Sequence, residues 1–447
     1  MCGQPARFLA AWLLARLPAP PYVPAWLATL AFFPAGAFLL AALTSSPAGA
    51  QDLLAAPERA WILRSSVALA YDSFGQRYTV ADDDTLDLID ELSGRWILGL
   101  EHRGNAWFEL ANSLGIGQEA TRNDTHLGLR WRARTLDVQI LDDLHTKAWR
   151  ELSQYTLSSD YLTNTARLLV TVWPVGPWRL RGTGRLENAH FMQRSRYNYD
   201  YWRHDLGAEV ERRWGVFSEL RGGYSYGRRE VPDSTAIDYR AHRITAGWTQ
   251  EFGAHTLTLD QWVERRRYRD TGTRSPYLDY EADLTLSAAL GMSTRLRPAY
   301  RALVTNYDLP DSIYTDATEQ SVEILLEREL TPNTTLGVGP RGEFRRTGSV
   351  FDRPYDQWGL KGTLSYLPGP SLWVQFSNEI GVRTHRAGSE VLFTDYLFNW
   401  STLMLSWHFP PRLNLDFFFS LEPEDHADDR DDTTTLLVST ALTFGLY

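Results

Sequence analysis

Between Tyr277 and Tyr300 the chain keeps a two-residue rhythm. Asp279, Glu281 and Asp283 occupy every second position, separated by Leu278, Tyr280, Ala282 and Leu284. After Leu290-Gly291, Arg295, Arg297 and Arg301 hold the same parity, with Leu296, Pro298 and Tyr300 on the other. Successive side chains of a strand point to opposite faces, so each half has one apolar and one charged face. A turn at Leu290-Gly291 predicts an antiparallel hairpin that sets the carboxylates of the first strand opposite the guanidiniums of the second. Soluble sheets also alternate, so this stretch alone leaves open which face meets water.

The rhythm recurs along most of the chain. Trp202, Leu206, Ala208, Val210 and Trp214 alternate with Arg203, Asp205, Glu209, Glu211 and Arg213. Leu220, Tyr224 and Tyr226 alternate with Glu219, Arg221 and Ser225, and Trp178 and Leu180 with Arg179 and Arg181. Further on, Leu336, Val338 and Phe344 oppose Arg341, Glu343 and Arg345, and Leu372, Val374, Phe376, Ile380 and Val382 oppose Glu379 and Arg383. Helical spacing fits these stretches poorly, so the chain is read as all-β.

The connectors alternate in length. Tight turns fall at Trp214-Gly215, Phe252-Gly253, Leu290-Gly291, Thr331-Pro332-Asn333 and Pro368-Gly369-Pro370, with two more at Val175-Gly176-Pro177 and Pro410-Pro411. Between them lie longer polar links such as GRREVPDSTAIDY, YDLPDSIYTDATE and EPEDHADDRDD. Short turns at one end and long loops at the other define a single up-and-down antiparallel barrel of about 16–20 strands. Trp61–Tyr161 is the least decided part. Its TLDLIDELSGRWILGLEHRGNAWFELANSLGIG suits two strands or three, HTKAWRELSQYTL suits a loop or a short helix, and a loop over residues 142–160 could fold into the lumen.

The start of the chain differs in kind. Arg7 and Arg16 are the only charges in residues 1–50, and an apolar run at Ala25–Leu43 precedes Ala48-Gly49-Ala50. This predicts a secretory signal peptide over residues 1–50, cleaved after Ala50, with the barrel over 51–447; an uncleaved anchor is the competing reading. Cys2, the only cysteine, lies in that leader, so the remainder carries no disulfide or thiol chemistry. What remains has 43 basic and 55 acidic residues, a net charge of −12, which argues against a nucleic-acid partner. Aromatics make up 13 % of the chain, including 17 Trp and 21 Tyr, as barrel girdles at two membrane interfaces require.

The C-terminal TTTLLVSTALTFGLY is a strand that ends on Tyr447. In this it resembles bacterial outer-membrane β-barrel proteins as a class, of porin-like architecture, whose last strand commonly ends in an aromatic residue recognised during membrane insertion. Leu442, Phe444 and Leu446 form the apolar face, so Tyr447 stands in the opposite register from the class pattern. The resemblance implies export to a Gram-negative-type outer membrane, with short periplasmic turns, long extracellular loops, lipid and lipopolysaccharide as neighbours, and barrel-assembly machinery as a partner. A homo-oligomer is left open.

In such a barrel Leu278, Leu284, Leu296 and Tyr300 face lipid, because one arginine at the bilayer midplane costs about 2–4 kcal/mol. The charged parity then lines the lumen: Arg179, Arg181, Glu209, Glu211, Glu219, Arg221, Asp279, Glu281, Asp283, Arg295, Arg297, Arg301, Glu323, Glu327, Arg341, Glu343, Glu379 and Arg383. The reading that follows is an aqueous pathway for small hydrophilic solutes. The alternatives are a structural, assembly or export barrel working with a partner protein, and a membrane-embedded hydrolase. No cofactor, metal site or catalytic residue is assigned. The ten histidines, from His102 to His426, show no metal-ligand spacing, and no nucleophile elbow or phosphate loop is present. His204 and His242 fall on apolar registers near strand ends, and the acidic runs Asp82–Asp84 and Glu422–Asp432 read as solvated outer loops.

Overall fold

The computed structural model describes residues 60–446 apart from 81–82, 104–105, 118–119, 150–159, 175, 193–198, 271–273, 311–313, 349–353, 387–393, 410–411 and 429–430. Twenty strands follow one another: β1 (Ala60–Val80), β2 (Asp83–Arg103), β3 (Ala106–Gly117), β4 (Ala120–Arg132), β5 (Leu136–Trp149), β6 (Tyr161–Val172) and β7 (Trp178–Phe191). They continue as β8 (Tyr201–Arg213), β9 (Glu219–Glu230), β10 (Tyr239–Phe252), β11 (His255–Tyr268), β12 (Tyr277–Ala289), β13 (Thr294–Tyr307) and β14 (Ala317–Thr331). The ring ends with β15 (Thr334–Thr347), β16 (Tyr355–Gly369), β17 (Leu372–His385), β18 (Tyr396–Phe409), β19 (Leu413–His426) and β20 (Thr433–Gly445). Each strand pairs antiparallel with the next, and Ser66–Tyr78 of β1 pairs with Gly445–Thr433 of β20. That last ladder closes the sheet and leaves no edge along its length. Twenty strands spaced about 4.8 Å apart and tilted about 40° enclose a ring about 40 Å across between opposite strand axes.

The ends of the barrel are unlike. At the end holding Ala60 and Gly445 the connections are two to five residues long, as at Gly253-Ala254, where Gly253 takes a φ of 63°. A left-handed φ there is cheap only for glycine. At the other end the connections from β5 to β20 run six to eleven residues. Those links are shorter than the polar stretches of sequence, because the strands climb into them. Arg228-Arg229-Glu230, for example, completes β9.

The two faces separate by parity. On one, Leu206 is 64 % exposed and Ile244 62 %; on the other, Glu211 is 1 % and Glu379 6 % exposed. Side chains diverge outward from a closed ring and converge inside it, so the charged face is the concave one. The outward face carries an aromatic girdle at the short-turn end from Trp61, Trp131, Trp178, Trp407 and Phe444. Tyr71, Trp202 and Trp358 mark the opposite border. This is the layout of a transmembrane barrel.

The undecided stretch from Trp61 to Tyr161 resolves into long strands. The TLDLID…LGIG segment holds two, β2 and β3. Residues 142–149 belong to β5 and form wall rather than a lumenal loop; residues 150–159 lie outside the described set. The outer face is also less apolar here than its alternation rule allows. Register places Asn112, Asn123, Thr125, Asp142 and Asn164 outward across β3–β6, where Asn112 Nδ2 donates to Asn123 Oδ1 and Thr125 Oγ1 at 2.8 Å each. The acidic run Glu422–Asp432 is likewise only partly a loop, since Glu422–His426 completes β19 and places Glu422 and Glu424 on the inner parity. Asp82, Asp429 and Tyr447 lie outside the described residues.

Candidate functional site

By register the charged residues read as lumenal share the parity of the concave face, and neighbouring strands hold most of them in ion pairs. On β7–β9, Arg179 and Arg213 close on the buried Glu211, Arg213 also lies 3.3 Å from Glu219, and Arg181 stands 3.2 Å from Glu209. On β14–β17, Arg341 reaches Glu343 at 2.9 Å and Glu379 at 2.7 Å, while Lys361 Nζ lies 2.7 Å from Glu323. Arg383 donates to Gln357 Oε1 at 2.9 Å, and its guanidinium sits 4.1 Å over the Tyr355 ring. Arg221 contacts Asp260 at 2.5 Å across β10, where Gly247 lacks a side chain that would obstruct it.

The β12–β13 hairpin corrects the pairing expected from its sequence. Of the six charges, only Asp283 and Arg301 are direct register partners. Glu281 faces Leu303 and meets Arg301 diagonally at 2.9 Å, and Asp279 faces Thr305, which donates to it at 2.7 Å. Arg297 turns to β14 rather than to β12. Arg297 pairs with Glu327 of β14 at 2.6 Å, and Arg295 has Glu327 as its register partner but no ion-pair partner among the described residues. Each inner residue of a barrel has two neighbouring strands, so the hairpin partner has no priority.

Sequence reasoning missed three inner groupings. On β4–β5, His126 meets Asp143 at 2.6 Å and His145 meets Asp124, so two histidine–aspartate pairs lie in adjacent rows. The partners stand 17 and 21 residues apart in sequence, and only the β4–β5 register brings them together. Among the described residues, no group of three His, Cys, Asp or Glu is placed to hold a metal. On β10–β11, Glu264 is buried between Arg243 at 2.8 Å and Arg266 at 2.7 Å. Near the long-loop end the inner face carries a chain of rings from Tyr239 through Tyr268 and Tyr277 to Tyr307, with centroids 5.6–6.5 Å apart and Arg266 over two of them. Their signal in sequence was a tyrosine at the loop-side end of several strands, which also marks an ordinary interface.

Among the described residues, every substantial contact between strands is one between neighbours in the ring. No described element packs substantially across the lumen.

No model of a known protein family matches the chain, and no curated protein matches it in sequence. Among solved structures it is similar to the alcaligin outer-membrane receptor FauA of Bordetella pertussis, at 12 % identity and a TM-score of 0.51, over 84 % of this chain and 75 % of that one. It is also similar to two Pseudomonas aeruginosa proteins: OpdQ (10 % identity, TM-score 0.45, 86 % and 98 % covered) and the outer-membrane protein OpdK (13 %, 0.44, 85 % and 99 %). The likeness to FauA shows the fold, a barrel of the outer-membrane type, and the weaker pair adds no further argument.

Proposed function

We propose that the chain is an outer-membrane barrel whose lumen is an aqueous pathway for small hydrophilic solutes. The observation that carries this is the ring itself: 20 strands close around a charged concave face with no described element packed substantially across it. Barrels of 16–18 strands already leave an aqueous channel. The lumen-facing charges act as the wall of that path. Because most are neutralised in pairs, selectivity falls to the more exposed of them, notably Arg295 and the open Arg301–Asp283 pair. In the same reading residues 1–50 are removed after Ala50, the short turns face the periplasm and the long loops face outside.

The test is conductance of the purified, refolded chain in a planar lipid bilayer. Discrete steps that scale with salt support the channel; a folded barrel that stays silent at every voltage overturns it. The intact mass of protein extracted from outer membranes tests the leader, with the mass of residues 51–447 expected.

A further inference from the structure

On the outer face at the long-loop end, Arg228 of β9 is the direct register partner of Arg240 of β10, and Arg240 is the direct partner of Arg267 of β11. Parity fixes the face, because Tyr224 and Ile244, two exposed outer residues, lie on the same sides of β9 and β10. Cross-strand partners have Cβ atoms about 5 Å apart, and like charges directly opposite are destabilising. One row down stands Arg265, the register partner of His242. These four guanidiniums have two carboxylates between them: Glu230 pairs with Arg228, and Asp308 with Arg265. Arg240 and Arg267 are both exposed, and among the described residues neither has an ion-pair partner. Elsewhere on this rim the pattern is different. Asp356 neutralises both Arg346 and Arg386.

Depth says what meets the row. Arg240 lies twelve residues along β10 from Phe252 at the short-turn end. At about 3.3 Å per residue and a tilt near 40°, that is about 30 Å along the barrel axis, against an apolar band about 25 Å tall. Below the row come Tyr226 and His242, then Tyr224 and Ile244 against Val263, with the Tyr224 hydroxyl 2.7 Å from His242 Nδ1. The row therefore stands at the head-group level, just above hydrocarbon.

We infer that Arg228, Arg240 and Arg267, with Arg265 beneath, form a docking surface for the phosphate groups of an outer-leaflet lipid of the lipopolysaccharide kind. Guanidiniums bind phosphate in a bidentate manner, and an anion seated on the row converts its repulsion into attraction. A lipid is the occupant because the row is continuous with the acyl-facing surface below it. The inference rests on the outer-membrane reading for which leaflet the long-loop end meets.

The test uses the purified, folded chain in neutral detergent, with thermal unfolding followed by tryptophan fluorescence. Diphosphorylated lipid A, the same lipid with its phosphates removed, and inorganic phosphate are titrated separately. The diphosphorylated lipid is expected to raise Tm, with less effect at high salt. In the double variant R240Q/R267Q its apparent affinity falls about 30-fold, the combined effect of two surface arginines near anionic head groups. R346Q, which removes a neutralised arginine, keeps the wild-type response. Without lipid the double variant unfolds at no lower temperature than wild type, because its loss relieves repulsion; if it fails to fold, R267Q alone is read for a smaller loss of the same sign. Equal stabilisation by the dephosphorylated lipid, an unchanged affinity in the variant, or an equal response to inorganic phosphate at matched concentration overturns the proposal. Conductance of the same samples is read separately, so a closed lumen leaves the lipid result standing.

Discussion

Arg341 on β15 reaches across the whole of β16 to Glu379 on β17, its Nη1 2.7 Å from Oε2. The residue it passes over is Gly359, which is the register partner of both Arg341 and Gly381. Glu379 is 6 % exposed and also accepts from Gln357 Nε2 at 3.2 Å. Removing one member of a buried pair leaves the other desolvated without compensation. Glu379→Gln is therefore expected to lower unfolding stability by about 1–3 kcal/mol, Glu343 keeping part of the Arg341 charge satisfied. Guanidinium titration of the refolded barrel measures it, and an unchanged midpoint contradicts the assignment.

Gly381 carries the second prediction. A Cβ built there would stand 2.2 Å from the Trp358 carbonyl oxygen, 2.6 Å from Phe398 Cζ and 2.8 Å from Gly359 Cα. Two of the three are backbone atoms, which cannot swing aside as a side chain can. Gly381→Ala is expected to cost about 1–3 kcal/mol through overpacking and to part the β16–β17 ladder locally. Gly362, with nothing within 4 Å of its built Cβ, is the control, and Gly362→Ala leaves the barrel intact. The fraction of chain that keeps its folded electrophoretic migration in cold detergent reads the difference.

Selectivity supplies the third. Among the described residues Arg301 is the guanidinium that pairs with Glu281 and Asp283, at 2.9 Å and 3.7 Å. Its side chain is 53 % exposed and that of Asp283 46 % exposed, so both lie open to the lumen. Arg301→Gln leaves three carboxylates on one patch of wall and shifts the reversal potential in a salt gradient toward cations. Asp283→Asn shifts it toward anions. Identical reversal potentials for the two variants would show that this patch does not border the path of ions.

How much of this was legible depended on whether a stretch had one polar face or two. From β7 onward, parity alone separated the inner charges from the outer apolar residues, because Trp202, Leu206 and Val210 share one side and Arg203, Asp205 and Glu209 the other. Partner choice was not legible. Arg297 binds Glu327 on the following strand rather than a carboxylate of its own hairpin, and local sequence holds no information about which neighbour a long side chain selects. Over β3–β6 the rule itself failed. Asn112, Asn123, Thr125 and Asp142 face outward while Asp124, His126, Asp143 and His145 face inward, so both faces are polar and alternation disappears. The histidine–aspartate pairs were hidden by the same cause.

Asp142 follows from that departure. Its register partners are Leu127 and Ala166, and Ile140 and Leu144 flank it on the same outer face. It stands six residues along β5 from Leu136, about 15 Å from the short-turn end by strand rise and tilt, which is near the middle of an apolar band about 25 Å tall. No described residue forms an ion pair with it. A carboxylate at that depth costs less than an arginine but still weakens the inserted state. Asp142→Leu is thus expected to stabilise the barrel in lipid by about 1–2 kcal/mol, and to change little in detergent micelles, where water reaches the wall more freely. Urea unfolding from large vesicles, run beside the same titration in micelles, separates the two environments. A variant less stable than wild type in vesicles would mean that Asp142 is covered there by a partner that needs its charge, and the outer face of β3–β6 would then be a contact surface rather than a lipid-facing wall.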